Sequence, residues 1–401
     1  MHDLSWCRED TLRTTCWSDV QSKVSHPVRS ALERVLATQN GACLTRDQQL
    51  MLAHASGHDL LGLVVAANEL RRNLVGETVT YVVTRNINFT NVCIVGCKFC
   101  AFAVGPRHQT AYFLSLGEAA EKAREAARWR ATEVCIQGGL PRGLPPFYYR
   151  DILRAVKSAV PNMHCHAFSP MEMLYGVELT GMPVREYLLM LKEAGLDTLP
   201  GTAAEILDDE VRQVLSHNKL TVAQWREIIE TAHECGIRST STMMYGHLET
   251  PEHWVNQLLL LREIQARTGG FTEFVPLGFI HDNTLLFEQG LARPGATLQE
   301  HMQVHALSRV LLAGSIHHIQ VSWVKLGREV SQLALLAGAD DYGGTLFEEN
   351  ISRLAGAAFG QYVSTQEFQE RILELGRIPA QRNTTYTQLI YPGPVAKGSA
   401  A

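Results

Sequence analysis

The chain has no long apolar run. Its most apolar stretch, Leu60 to Ala67, falls far short of the roughly 20 residues that a membrane helix needs. It has no block of basic residues either. With 36 Lys and Arg against 41 Asp and Glu, the net charge is −5, so nothing electrostatic points to nucleic acid or an anionic membrane surface. The first ten residues, Met-His-Asp-Leu-Ser-Trp-Cys-Arg-Glu-Asp, lack the basic-then-apolar order of a secretory leader, and a cytoplasmic setting is expected. There is no internal repeat and no low-complexity linker. The G-x-G-x-x-G turn that would mark a doubly wound nucleotide-binding sheet is also missing. Cysteine is sparse over most of the chain: of nine, three crowd between Cys93 and Cys100 and the rest are scattered. An odd, clustered set argues against a disulfide framework and for one local metal or redox site.

What is present is a globular composition, 46% hydrophobic and 19% charged over 401 residues. Strand-like runs recur at Val79–Phe89, Thr132–Gln137, His164–Phe168, Asp197–Leu199, Arg238–Met244, Thr272–Leu277, His318–Trp323 and, more weakly, Ala339–Tyr342. Between them lie helix starts. Ser115 with Glu118, Thr221 with Gln224 and Thr297 with Glu300 fit capping boxes. Thr250-Pro251 fits an N-cap followed by proline. Gly195, Gly236 and Gly314 sit where helices should stop. Eight strand–helix units predict a TIM-type (β/α)8 barrel, an α/β fold, over residues 79–360. A helical segment is expected over 28–78, with Thr45 and Asp59 as N-caps. Residues 1–27 are expected to be a disordered tail, and 361–401 a C-terminal helix from Ser364 followed by a polar tail.

The most specific feature is Asn91-Val-Cys93-Ile-Val-Gly-Cys97-Lys-Phe-Cys100, a C-x3-C-x-aromatic-C motif. Three thiolates within eight residues can hold three irons of a [4Fe–4S] cluster and leave the fourth open, where four-cysteine clusters saturate every iron. The open iron suits chelation by the amine and carboxylate of S-adenosylmethionine (SAM). Zinc, with His108 as a fourth ligand, is a rival occupant, although zinc prefers C-x2-C pairs. A redox dithiol at Cys97 and Cys100 is another, and it leaves Cys93 without a role. The motif follows the first strand, which places it at the C-terminal barrel face where active sites occur.

Polar residues end the other strands: Gln137-Gly138-Gly139, His166 to Glu172, Thr202 to Glu205, Tyr245-Gly246-His247-Leu-Glu249, His281-Asp282-Asn283, Gln320 with Ser322, and Asp340 to Gly344. Each could be a cap or turn former. Together they suit a substrate-sized polar cavity.

Arg85-Asn-Ile-Asn-Phe-Thr-Asn91, leading into the cysteines, resembles the branch of radical SAM enzymes that holds the deazaflavin (FO) synthases and the futalosine-pathway enzymes of menaquinone synthesis. His166-Ala-Phe-Ser-Pro-Met-Glu172, Leu199 to Glu210, Ser241 to His247, Gly269 to Pro276, Gln320 to Gly327 and Gly343-Gly-Thr-Leu346 resemble the tyrosine-using FO synthase subunit in particular. The likeness covers about residues 40–390. It implies that an adenosyl radical takes hydrogen from the amino group of L-tyrosine. The Cα–Cβ bond then breaks, and the 4-hydroxybenzyl fragment joins C5 of 5-amino-6-(D-ribitylamino)uracil. It also implies an external electron donor and a second radical SAM subunit that closes the deazaflavin ring, since one cysteine motif is present here.

The same resemblance implies residue roles. Cys93, Cys97 and Cys100 are the cluster ligands, and Gln137, Gly138, Gly139, Glu205, Tyr245, Gly246 and Glu249 contact SAM. Strand-end placement suggests Asn283, Gln320, Ser322 and Asp341 for substrate, with Glu172 or His166 as the base that keeps the tyrosine amine neutral. The alternatives are a futalosine-pathway enzyme on the same barrel, and a non-catalytic barrel binding zinc or a cluster.

Overall fold

The β-branched runs of the sequence become the staves of a closed ring. A computed structural model describes residues 4–392. The first stave is β1 (Thr78–Val82) and β2 (Thr84–Asn88), interrupted at Val83, where the Thr84 N–H turns aside to Thr345 Oγ1 at 3.0 Å. β3 (Glu133–Gln137), β4 (His164–Ala167), β5 (Thr198–Leu199), β6 (Arg238–Tyr245) and β7 (Phe271–Gly278) follow β2 in one parallel sheet, each paired to the next. The seventh stave is only a bridge, with Ile319 beside Phe274 and Gln320 beside Asp341. β8 (Asp341–Gly344) returns to β1, Thr80 lying opposite Asp341 and Val82 opposite Gly344. The fold is the expected (β/α)8 barrel.

Its seventh stave is shorter than the sequence suggests, and its eighth is shifted two residues along the chain, to Asp341–Gly344. Trp323 starts helix Trp323–Leu336 instead of ending a strand. Asp340 is diverted by its own side chain, which takes the Ile319 N–H at 2.8 Å and Arg309 at 2.6 Å. Burial opposes ionisation of Asp340, but His318 and Arg309 outweigh it and hold the pKa at about 2.

The anticipated helix starts are real. Ser115, Thr221 and Thr297 each form a complete capping box, and Thr250 caps a helix with proline in its first turn. Gly195, Gly236 and Gly314 take positive φ. Helices His26–Thr38, Arg46–Ala53 and Gly57–Val75 cover the N-terminal segment, Thr45 capping the second. Asp59 does not cap the third. Ser56 occupies that position, and Asp59 instead accepts from the Ser25 backbone and hydroxyl at 2.7 and 2.8 Å. Among the described residues no single helix is long and apolar enough to cross a membrane.

Both chain ends differ from the expectation of tails. Residues 4–27 include helices Glu9–Thr14 and Trp17–Val20, with Leu12 and Trp17 buried in the core. The short amphipathic turns are too brief to show a period in sequence. At the other end Ser364 caps helix Thr365–Glu374 as anticipated. The chain then forms a hairpin of β9 (Ile378–Arg382) and β10 (Leu389–Ile390). β9 runs parallel to β1, Thr78 to Tyr81 opposite Ile378 to Gln381. β3 pairs with β2 and not with β1, so β9 covers an edge of β1 that would otherwise present unpaired backbone. The ends of the expected tails, residues 1–3 and 393–401, lie outside the described residues.

The hairpin closes the floor of the barrel. Arg382 reaches Asp341 (Nε to Oδ2, 2.5 Å) and Glu273 (3.1 Å), Tyr386 donates to Glu273, and Thr384 donates to Glu133. A layer of buried acids is thereby paired below the site, which frees the upper barrel for chemistry.

Candidate active site

The mouth of the barrel holds a cavity of about 410 Å³. One side is the loop after β2. Its backbone is pinned at several points: Cys93 N–H to Val104 O (3.2 Å), Ile94 N–H to Leu140 O (2.9 Å) and Lys98 N–H to Leu215 O (2.9 Å). The loop presents Cys93, Cys97 and Cys100 to the cavity. Burial pushes the Cys97 thiol up to about 11, against the pull of Lys219, and raises Cys100 as well. Thiols placed this way ionise when a cation takes the proton's place. Donors already face the sulfurs. Ser216 Oγ lies 3.1 Å from Cys97 Sγ, and the Phe102 and Ala103 N–H groups point at Cys100. Such donors orient and tune metal-bound thiolates. Among the described residues no three His, Cys, Asp or Glu side chains converge as ligands of one metal ion do. The three cysteines border this one cavity, and three thiolates are a donor set that suits a [4Fe–4S] cluster.

Gln137-Gly138-Gly139, at the end of β3, lines the adjacent wall. Here glycine is required sterically: a Cβ on Gly139 would meet Val92 O at 2.2 Å, and one on Gly138 the Phe89 ring at 2.6 Å. The turn therefore packs directly on the cysteine loop. Glu172 holds it from below, accepting from Gly138 N–H (3.0 Å) and from Ser169 N–H (2.6 Å) and Oγ (2.8 Å). Burial nevertheless outweighs these donors and lifts the Glu172 carboxyl to about 7. Gln137 donates to Thr202 Oγ1 at 2.9 Å. Glu205 stands in the left-handed region at φ 37°, a strained backbone of the kind that gathers at functional sites. Lys219 pairs with it at 2.7 Å, and Arg212 lies at 3.6 Å.

The opposite wall comes from the last third of the chain: Gln320, Ser322, Lys325 and Glu349, with apolar Leu277, Phe279 and Leu346 between them. Of the residues anticipated from sequence, the three cysteines, Gln137, Gly138, Gly139, Glu172, Glu205, Gln320 and Ser322 meet in this one cavity.

The others do not line it. His166 is inside the barrel beside Thr198, its Nδ1 2.8 Å from that hydroxyl, and burial drops its pKa to about 4. Tyr245 turns away to His301 at 2.8 Å. Gly246 packs on Ala296, and Glu249 is consumed by the Gly246 and His247 N–H groups, Trp254 and Arg293. Asn283 ties its loop to Leu354 O at 3.0 Å. Asp341 belongs to the floor, with Arg382. Strand-end position could not separate these from the cavity residues, because consecutive side chains on a strand point to opposite sides. Thr202, a polar strand end, lines the cavity as anticipated, whereas Asn86, Asn88, Lys219, Lys325 and Glu349 also line it and were not anticipated. Lys325 lies within the Gln320–Gly327 block, three residues past Ser322.

A closed barrel with three clustered cysteines at the mouth of its first stave defines a radical SAM barrel, and residues 87–261 match the Radical SAM superfamily. Residues 268–395 match the CofH/MqnC C-terminal region. The chain belongs to the family of the 5-amino-6-(D-ribitylamino)uracil–L-tyrosine 4-hydroxyphenyl transferases: the protein of that name from Methanothermobacter thermautotrophicus is 46% identical over 362 residues, covering 90% of this chain and 99% of that one. FO synthases are also similar. That of Mycobacterium leprae is 52% identical over 379 residues, 92% of this chain and 44% of the relative; that of Streptomyces coelicolor is 52% identical over 364 residues, 91% and 42%. The chain thus spans less than half the length of the FO synthases it matches. Methylornithine synthase (PylB) shares the fold, with a TM-score of 0.67 at 17% identity over 87% of this chain and 97% of that one. The hydrogenase maturase HydG of Carboxydothermus hydrogenoformans does so with 0.68 at 14% over 97% and 87%.

Proposed function

We propose that this chain cleaves the Cα–Cβ bond of L-tyrosine and transfers the 4-hydroxybenzyl group to 5-amino-6-(D-ribitylamino)uracil, a step in deazaflavin FO synthesis. The observation that carries the reading is the meeting of the cysteine loop, the Gln137–Gly139 turn and a separate polar wall around one cavity, in a chain so similar to the transferase named above.

Cys93, Cys97 and Cys100 would hold a [4Fe–4S] cluster with one iron free for SAM. When bound, the cluster and SAM supply the electron and the hydrogen-abstracting radical. Gln137, Gly138 and Gly139 would grip the SAM amino group through their backbone, and Glu205, braced by Lys219, the remainder of the cofactor. Glu172 faces the cavity with a pKa near that of the medium, which suits a group that takes a proton from the substrate amine. His166 is neutral and set off the wall, which leaves Glu172 as the better of the two candidate bases. The apolar lining keeps water from the reacting atoms. A second radical SAM protein would act on the product, and an external donor would reduce the cluster.

The test is anaerobic incubation of cluster-loaded protein with SAM, dithionite, tyrosine and the ribitylaminouracil. Coupled product and 5′-deoxyadenosine should appear together. Deoxyadenosine without product would sink the reading. The C-terminal match bears on futalosine-type enzymes as well, so a futalosine-pathway substrate belongs in a parallel tube, and turnover there alone would favour that activity. A colourless, iron-free but zinc-bearing protein would instead support a non-catalytic zinc barrel.

A further inference from the structure

We propose that Lys325 and Glu349 form the subsite for the head of an α-amino acid bearing a large aromatic side chain, with Lys325 Nζ taking the carboxylate and the Glu349 carboxylate taking the ammonium group. This rests on the functional reading above and names the groups that would recognise its amino-acid substrate.

Lys325 lies in the first turn of helix Trp323–Leu336, its backbone N–H bonded to Ser322 O at 2.9 Å and its side chain on the cavity wall. No other described residue hydrogen-bonds or ion-pairs with its Nζ. Burial lowers its pKa, while the Glu349 and Cys100 charges pull the other way. The second cavity lysine differs: Lys219 is already engaged by Glu205 at 2.7 Å.

An ammonium group on a cavity wall with no protein partner is open to a ligand that supplies a carboxylate. Glu349 is held still. Both its oxygens accept from the Ser352 N–H, at 3.1 and 3.0 Å. Lys325 and Glu349 line the same cavity, and among the described residues no ion pair joins them. The two therefore leave a gap between unlike charges, and an amino-acid zwitterion fills such a gap with its own charges reversed. Lys325 and the three cysteines line the same cavity, so the amine of this head would face the cluster from which hydrogen abstraction starts. Met244, Leu277 and Phe279 offer apolar wall to the ring.

Equilibrium binding to cluster-loaded, SAM-bound protein without reductant reads this apart from turnover. Tyrosine is compared with tyramine, which lacks the carboxylate. Lys325→Met should weaken tyrosine about 10- to 100-fold and tyramine by less than about threefold. Lys325→Arg should restore most of the affinity for tyrosine. Glu349→Gln should weaken both ligands, since both carry the ammonium group. Unchanged SAM affinity certifies the barrel; if Lys325→Met does not load its cluster, Lys325→Gln takes its place in the same comparison. Undiminished tyrosine binding in a variant that binds SAM normally overturns the proposal. Loss of SAM affinity in place of tyrosine affinity also overturns it, and assigns the lysine to the cofactor. If the unaltered protein binds no tyrosine, the functional reading itself fails, a result distinguishable from the variant outcomes.

Discussion

Arg382, from a hairpin near the end of the chain, grips Asp341 at the foot of β8 through two nitrogens, Nε to Oδ2 at 2.5 Å and a terminal nitrogen to Oδ1 at 3.2 Å. Both side chains are essentially buried. Asp341 in turn accepts from the Gly343 N–H at 2.6 Å, and Gly343 packs on the Gln320 side chain. The floor thus braces the wall that faces substrate. Removing one partner leaves a buried charge alone, at a cost of about 3–5 kcal/mol. Arg382→Ala, and equally a chain cut before Ile378, should show a large drop in denaturant midpoint. A midpoint within experimental error of the parent would mean that the hairpin is an ornament.

Gly139→Ala should cost the cluster before it costs the fold. The added methyl would meet Val92 O at 2.2 Å and Cys93 Cβ at 3.0 Å, so the cysteine loop must shift. Overpacking of this kind costs about 1–3 kcal/mol, which a barrel of this size survives. Iron content and visible absorbance after anaerobic reconstitution should fall sharply while far-ultraviolet circular dichroism stays unchanged.

Cys97→Ala should abolish reductive SAM cleavage outright. Ser216→Ala is the subtler change: it deletes the donor 3.1 Å from Cys97 Sγ. Fewer hydrogen bonds to a ligand sulfur leave more negative charge on the cluster. The potential should move to more negative values in a titration followed by electron paramagnetic resonance, with cluster content retained.

Glu172 makes stability depend on pH. Its folded pKa, about 7, stands above the ordinary 4.5 of a glutamate, chiefly through burial. The unfolded chain therefore loses this proton first. The stabilisation is complete below about pH 4.5 and is lost as pH rises through about 7, by at most about 1.4 kcal/mol per pH unit. Melting temperatures of the parent should fall across that window relative to Glu172→Gln. Parallel curves for the two proteins would show that the carboxyl does not titrate there.

Periodicity and caps made most of the barrel legible. The Ser115, Thr221 and Thr297 boxes act within four residues of chain, so sequence alone locates them. The cysteine motif is local for the same reason. The hairpin was not legible: Ile378 to Arg382 carries a proline and an arginine, and only the open edge of β1 and the acids below it explain why they enter a strand. Among site residues, His166 and Glu172 are six positions apart and equally plausible on paper. The fold put one beneath the cavity and the other on its wall.

The sequence by itself determined what lies close along the chain: helix starts, the order of strands and a three-thiol loop able to hold a cluster. Tertiary structure decided which polar strand ends face one another across the cavity. It also decided that Asp341 belongs to the floor and that Lys325 stands unpaired opposite the cysteines. The physical reason is that side-chain direction on a curved parallel sheet, and the desolvation of each charge, depend on neighbours contributed by residues hundreds of positions away.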